Sequence, residues 1–244
     1  MLEIKNLRKY YGDKQVLKDI NLSLPRGEIV GLFGKNGAGK TTLIKCIFNF
    51  ISYRGDITLD GEEITNKNIT NLSFATSEHS FFPSLTADEH RDFYKDHFPA
   101  FADDRYQGLM DFFSLPRNKR LKHFSNGQKN QFEVIMALSQ GADYIFMDEP
   151  FAGNDVFNRE DFYKVLAGIL NENETLFIAT HLIDEVSSFI GRAVLLSDGV
   201  ITGDKTSEEM DNDGQSLMDY VKTSFRYENN RVSEALDKIR GENQ

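Results

Sequence analysis

The stretch GKNGAGKT, Gly34 to Thr41, satisfies the pattern G-x-x-x-x-G-K-[ST] without a mismatch. Each residue type there has a chemical reason. Gly37 and Gly39 let backbone N–H groups close around phosphate oxygens. The Lys40 ammonium can reach the β and γ oxygens of a nucleoside triphosphate, and the Thr41 hydroxyl can complete the coordination sphere of a Mg²⁺ ion. Two carboxylates, Asp148 and Glu149, stand at the end of YIFMDE. Asp148 is suited to hold the Mg²⁺ through water, and Glu149 to orient and deprotonate an attacking water. A third stretch, KHFSNGQKNQFE at 122–133, reads as a helix start, because Ser125, Asn126 and Gly127 are cap-type residues followed by helix formers. Free N–H groups and the positive end of the helix dipole collect there, which suits an anion. The chain therefore carries two helix starts fit for phosphate, far apart in sequence.

These groups need elements to hold them. GEIVGLFG is a short apolar run ending in glycine, followed by the glycine loop and by KTTLIKCIFNF, so strand, loop and helix are expected in that order. Upstream, LEIKNL and QVLKDINLSL alternate apolar with polar residues as half-buried antiparallel strands do, and GDITLDGEEI predicts a further hairpin. From about Ser77 to Gln140 the character changes. TADEHRDFYKDHF and DDRYQGLMDFFSL have helical spacing punctuated by Pro83, Pro99 and Pro116, which predicts a mostly helical subdomain closed by the FSNGQ helix. Alternation then resumes: strand YIFMD, helix DVFNREDFYKVLAGIL, strand TLFIAT, helix LIDEVSSFI, and strands AVLLSDG and VITGD. Buried apolar strands alternating with helices predict an α/β fold with a mainly parallel sheet covered on both faces. The reading divides the chain into a domain over 1–205, with the helical subdomain at about 77–140, and a short acidic tail over 206–244. That tail carries two helix-like pieces, around Leu217, Val221 and Phe225 and around Val232, Leu236 and Ile239.

Composition narrows the classes. The chain has 244 residues, 40% hydrophobic and 27% charged, as folded soluble proteins do. No apolar run reaches the roughly 20 residues that cross a bilayer, and MLEIKNLRKYYG lacks the apolar stretch of a secretory signal. A cytoplasmic location is expected. Cys46 is the single cysteine, which excludes an intrachain disulfide and a cysteine-based zinc site. A net charge of −10 argues against general binding to nucleic acid.

The glycine loop, YIFMDE, FSNGQ, GND at 153–155 and ATH at 179–181 together resemble the nucleotide-binding subunits of ABC transporters, in order and spacing, over roughly residues 2–205. The resemblance implies a P-loop NTPase core with an N-terminal antiparallel β subdomain and an inserted helical subdomain. It makes Gly34 to Thr42 (Gly34, Lys35, Asn36, Gly37, Ala38, Gly39, Lys40, Thr41, Thr42) the Walker A motif, YIFMDE the Walker B motif, and FSNGQ the signature usually written LSGGQ. ATP and Mg²⁺ are the implied cofactors. In this family two cassettes pair head to tail, with each ATP between one Walker A and the partner's signature helix. Ser125, Asn126, Gly127 and Gln128 would thus serve a nucleotide held by another chain, either a second copy or a related cassette. Tyr11, with Tyr10 as the second choice, matches the aromatic that stacks on adenine, Val16 would lie near the base or ribose, Asp155 would reach across the dimer, and His181 would contact the γ-phosphate.

The sequence departs from the family pattern at three places. Where the family has its Q-loop glutamine, FATSEHSFFPSLT has Ser77, followed by Glu78. Serine is too short for the usual contact, so Glu78 or a bridging water is expected to take over. Asn126 replaces the first signature glycine, and Asn154 stands where an apolar residue is usual. Phe81, Phe82, Pro83 and Leu85 are candidates for a socket receiving a helix of the membrane partner, or for local packing. The EHSFFPSLTADEH stretch and short tail resemble cassettes that serve ABC-2-type exporters. The implied function is ATP hydrolysis in a dimer that energises a separate integral-membrane permease, from a peripheral position on the cytoplasmic face of the membrane. The exported substrate would be a drug, antimicrobial peptide, lipid or polysaccharide. The alternative is a soluble ABC-type ATPase acting on ribosomes or DNA, against which one cassette, one cysteine and the acidic balance count.

Overall fold

The computed structural model describes residues 1–76, 78–150 and 159–225. Along the chain, β1 (Leu2–Tyr11) and β2 (Lys14–Leu24) form a hairpin, and β3 (Ile29–Phe33) leads into α1 (Lys40–Ile47). β4 (Arg54–Leu59) and β5 (Glu62–Glu63) follow, then β6 (Leu72–Thr76) and the helices α2 (Ala87–His97), α3 (Asp103–Phe112) and α4 (Asn126–Ser139). The second half runs β7 (Tyr144–Asp148), α5 (Arg159–Ile169), β8 (Thr175–Thr180), α6 (Ile183–Val186), β9 (Arg192–Ser197), β10 (Val200–Thr206), α7 (Ser207–Asn212) and α8 (Leu217–Ser224).

Two sheets result. The first is antiparallel, in the order β2-β1-β4-β5, and the second runs β10-β9-β3-β8-β7-β6. In the second sheet β9, β3, β8, β7 and β6 are parallel, and β10 turns back antiparallel on β9. Period-two alternation divides its side chains between two cores. Ile145, Met147, Leu176 and Ile178 face a core shared with α3 and α4. Tyr144, Phe146, Phe177 and Ala179 face a core shared with α1 and the antiparallel sheet. Burying a Phe or Leu in either core contributes about 1.5–3 kcal/mol, so the central strands are held from both sides. The expected mainly parallel sheet, covered on both faces, is what forms. Cys46 is buried in the second core.

A largely buried ion pair helps tie the helical subdomain to the sheet. Arg105 of α3 donates both guanidinium nitrogens to Glu174 at 2.8 and 2.9 Å, and also reaches the carbonyls of Leu138 and Ile169. That single side chain joins α3, the end of α4, the end of α5 and the turn before β8.

Two elements differ from expectation. The helix predicted over LIDEVSSFI stops at Val186. The Ser187 hydroxyl donates to the Asp184 carbonyl at 3.0 Å, and the N–H groups of Phe189 and Ile190 both return to Val186, which tightens the chain into a turn. The beginning of the acidic tail is more apolar in use than in composition. Met210, Leu217, Tyr220 and Val221 are buried against the β9 side of the sheet, so α7 and α8 extend the core. The second helix-like piece, with Val232, Leu236 and Ile239, lies outside the described residues, as do Ser77, Asn154 and Asp155.

Candidate active site

Three neighbouring parallel strands end side by side. Phe33 of β3 pairs with Thr180 of β8, and Ala179 pairs with Asp148 of β7. The glycine loop, the Asp148–Glu149 pair and His181 therefore emerge at the same carboxyl edge, where open α/β sheets bind ligands. Lys35, Asn36, Gly37, Ala38, Gly39, Lys40, Thr41 and Thr42 line a cavity of about 210 Å³ there, together with Val16, Asp148 and Glu149. Gly34 begins the loop behind it, and a Cβ on Gly34 would lie 2.4 Å from the Leu196 carbonyl. Gly39 caps α1 at φ 111°, which L side chains rarely adopt, and no side chain caps that helix start. The first N–H groups of α1 thus face the cavity as donors.

Within the cavity the charged groups form one connected set. The buried Lys40 donates to the Gly34 carbonyl at 2.7 Å and stands 3.8 Å from Glu149 Oε1. Thr41 Oγ1 donates to Asp148 Oδ2 at 2.5 Å. Burial raises the pKa of Asp148 above the ordinary carboxylate value, and the Thr41 hydrogen bond opposes that shift. Its other oxygen, Oδ1, is buried without a hydrogen-bond partner among the described residues. An orphaned carboxylate oxygen beside a hydroxyl is a hard-oxygen donor set, and it fits Mg²⁺.

Glu149 is held from three directions. Its backbone has φ 47°, a left-handed conformation costing on the order of 1–3 kcal/mol in a residue with a side chain. The Glu149 N–H donates to Ala179 at 2.8 Å. Its carboxylate accepts from His181 Nδ1 at 2.9 Å and from Thr180 Oγ1 at 3.2 Å, and Thr180 Oγ1 in turn accepts the Leu182 N–H at 3.1 Å. The strain and the clamp together hold the carboxylate beside Lys40.

Other expected site residues lie outside this cluster. Tyr11 is 49% exposed, and the Lys9 ammonium sits 4.8 Å from its ring centroid. Lys9 also donates to the Ser52 carbonyl at 2.6 Å, so one face of the Tyr11 ring is shored up. Ser125 caps α4 in a capping box: its hydroxyl accepts the Gln128 N–H at 3.2 Å, and Gln128 Oε1 accepts the Ser125 N–H at 3.0 Å. The hydroxyl proton stays available for donation outward, and Ser125 and Asn126 are exposed. Gly127 and Gln128 are half-buried in the first turn, and none of the four lines the loop cavity. Glu78 pairs with Lys45 of α1 at 2.8 and 2.9 Å and lines a neighbouring groove of about 530 Å³. Aromatic residues Phe48, Phe50, Phe74 and Phe98 share that groove. Phe81 turns inward against Phe132 and His90, whereas Phe82 remains exposed beside them.

Sequence reasoning passed over Thr180, Lys45 and Lys9. The first two were within reach. Thr180 precedes His181 at a strand end, and Lys45 follows Thr41 by four residues, hence on the same helix face. Lys9 and Tyr11, two apart in a strand, share a face by period.

The sequence profile described as ABC transporter matches residues 17–152, more than half of the chain. The lipopolysaccharide export system ATP-binding protein LptB of Haemophilus influenzae is 29% identical over 238 residues, spanning 93% of this chain and 99% of that protein. The aliphatic sulfonates import ATP-binding protein SsuB of Bacillus cereus is 31% identical over 204 residues, spanning 80% and 81%. Among solved structures, the dimeric bacterial ABC transporter cassette MJ0796 superposes with a TM-score of 0.74 at 23% identity, covering 84% of this chain and 98% of that one, a likeness of fold. The glycine loop, the Asp148–Glu149 strand end and the profile match agree on one assignment: the chain belongs to the ABC transporter family and is one of its ATPase cassettes.

Proposed function

We propose that the chain hydrolyses ATP at the edge formed by β3, β7 and β8, as one half of a head-to-tail dimer that energises a separate membrane permease. The observation that carries this reading is the connected set Lys40, Thr41, Asp148, Glu149 and His181, held within 2.5 to 3.8 Å of one another in sequence-distant pairs. Tyr11 offers its outer face to the adenine ring, with Val16 beside the base or ribose. The N–H groups of Gly37 to Thr42 and the Lys40 ammonium bind the phosphates. Thr41 and Asp148 would hold Mg²⁺, which when bound neutralises charge on the phosphate oxygens. Glu149 takes the proton of the attacking water, and His181, hydrogen-bonded to it, fixes its direction and faces the γ-phosphate. The exposed N-terminus of α4 supplies the partner's site, with Ser125 donating its hydroxyl proton and Gly127 its N–H. Asp155 belongs to the same contact in this reading.

No helix among the described residues is long and apolar enough to cross a membrane. In this reading the permease is a separate chain, and the cassette works peripherally at the cytoplasmic face. The aromatic groove beside Glu78 is the docking surface in this reading. Export is favoured by the EHSFFPSLT stretch; flux direction in vesicles reconstituted with the permease tests it against import. For the site itself, phosphate release from ATP is the assay. Parent protein hydrolyses ATP only with a divalent cation, Lys40→Ala loses ATP binding, and Glu149→Gln binds ATP while losing at least about 100-fold in rate. Hydrolysis by Glu149→Gln at the parent rate would remove Glu149 from the role of base.

A further inference from the structure

Residues 78–85, between β6 and α2, are pinned by side chains from three helices. Lys45 of α1 holds Glu78 at 2.8 Å. His90 of α2 accepts the Phe82 N–H at Nε2 and pairs through Nδ1 with the Thr86 carbonyl, each at 2.9 Å. Glu133 of α4 accepts both the N–H and the hydroxyl of Ser80, the hydroxyl at 3.1 and 3.3 Å. The third pin differs from the others in kind. Glu133 is 5% exposed, on a helix stretch whose neighbours Phe132, Val134 and Ile135 are core residues, and no cation among the described residues pairs with it. A carboxylate in such a place is costly, and an apolar side chain of its size would pack there at lower cost. Its partner explains its presence. Glu133 is where the helix that starts at Ser125 grips the segment beside the aromatic groove, and Ser80 itself lines that groove.

We propose that Glu133 is a positioning residue: ionised, it grips Ser80 and fixes residues 78–85 to the signature helix, and protonated, it loosens that grip. The proposal rests on the reading of α4 and the groove given above and adds regulation to it. Burial pushes the Glu133 carboxyl up to about 7, against the two hydrogen bonds from Ser80 that favour the charged form. Other titratable groups lie near it. Tyr94 of α2 is pushed up to about 12 by burial and by the Glu133 charge. His79, next to Ser80, is driven down by burial and by Lys129 of α4, and His90 is driven down by burial. Glu78 is turned away to Lys45. Burial thus moves both histidines down and Glu133 up, toward neutral pH, and the grip tightens as pH rises.

The test pairs a local and a functional readout on the full chain. In ¹H–¹⁵N spectra the Ser80 amide of the parent titrates with a midpoint near pH 7, and in Glu133→Gln it stays flat. In ATPase assays the kcat profile of the parent bends near pH 7, and that of Glu133→Gln does not, with KM for ATP unchanged within twofold. Ser80→Ala, which keeps the N–H bond and lacks the hydroxyl, moves the amide midpoint upward. A Ser80 amide that is flat in the parent, or a bend near pH 7 that persists in Glu133→Gln, would overturn the proposal. Absence of hydrolysis in parent and variant with the Ser80 titration intact would support the grip and refute the hydrolytic reading.

Discussion

Replacing Glu133 by glutamine is expected to stabilise the protein at pH 8 and to leave it nearly unchanged at pH 5. The carboxyl of Glu133 stands at about 7 in the fold, against an ordinary value of 4.5. A folded value above the unfolded one means that the unfolded chain sheds this proton first as pH rises. The contribution of Glu133 to stability is therefore full below pH 4.5, falls through the interval between 4.5 and 7, and then levels. At about 1.4 kcal/mol per pH unit, the ionised carboxylate costs the fold about 3 kcal/mol at pH 8 and under about 1 kcal/mol at pH 5. Glutamine never ionises and stands in for the protonated carboxyl, and the hydrogen bonds from Ser80 that favour the charged form are already contained in that difference. The variant is then about 3 kcal/mol more stable than the parent at pH 8 and within about 1 kcal/mol of it at pH 5. Urea unfolding of both proteins at the two pH values measures this, because every other titrating group cancels in the difference. An equal parent–variant difference at both pH values would refute the reasoning.

Other perturbations separate the joints of the fold from the chemistry. Arg105→Ala leaves Glu174, 10% exposed, without its partner, and should cost about 3–5 kcal/mol, seen as a fall of about 10 °C in Tm by calorimetry. Ser125→Ala removes the α4 cap, worth about 1 kcal/mol, and should weaken ATP-driven dimerisation while leaving ATP binding to the single chain unchanged in equilibrium titration. Ser77→Gln restores the longer amide of the family pattern and should raise the ATPase rate; an unchanged rate and metal dependence would sink the account of that position.

Much of the cassette could be read from side-chain patterns, for physical reasons that can be named. The glycine loop, the apolar run of β3 before it and the acids ending β7 are local signals, and a strand–loop–helix order leaves few ways to place them. The insertion of β3 between β8 and β9 is not local: it depends on which apolar faces meet across residues far apart in sequence. Tail residues Met210 and Tyr220 stand amid Asp and Glu, and the β9 side of the sheet recruits them into its core. Glu133 was also hidden. α4 is buried over nearly its whole second half, so helical periodicity does not mark which of its faces meets residues 78–85. The clamp on Glu149 through Thr180 follows from the strand register, which sets Ala179 opposite Asp148.

The central proposal is that the α4 helix start completes a nucleotide site on a paired cassette, either a second copy of the chain, the pairing tested first, or a related one. Light scattering coupled to size exclusion tests it on Glu149→Gln, in which hydrolysis is stalled, with and without ATP. The account predicts a monomer without nucleotide and a dimer with ATP, while the hydrolysing parent does not accumulate that dimer. A monomer in both conditions with ATP bound would contradict it.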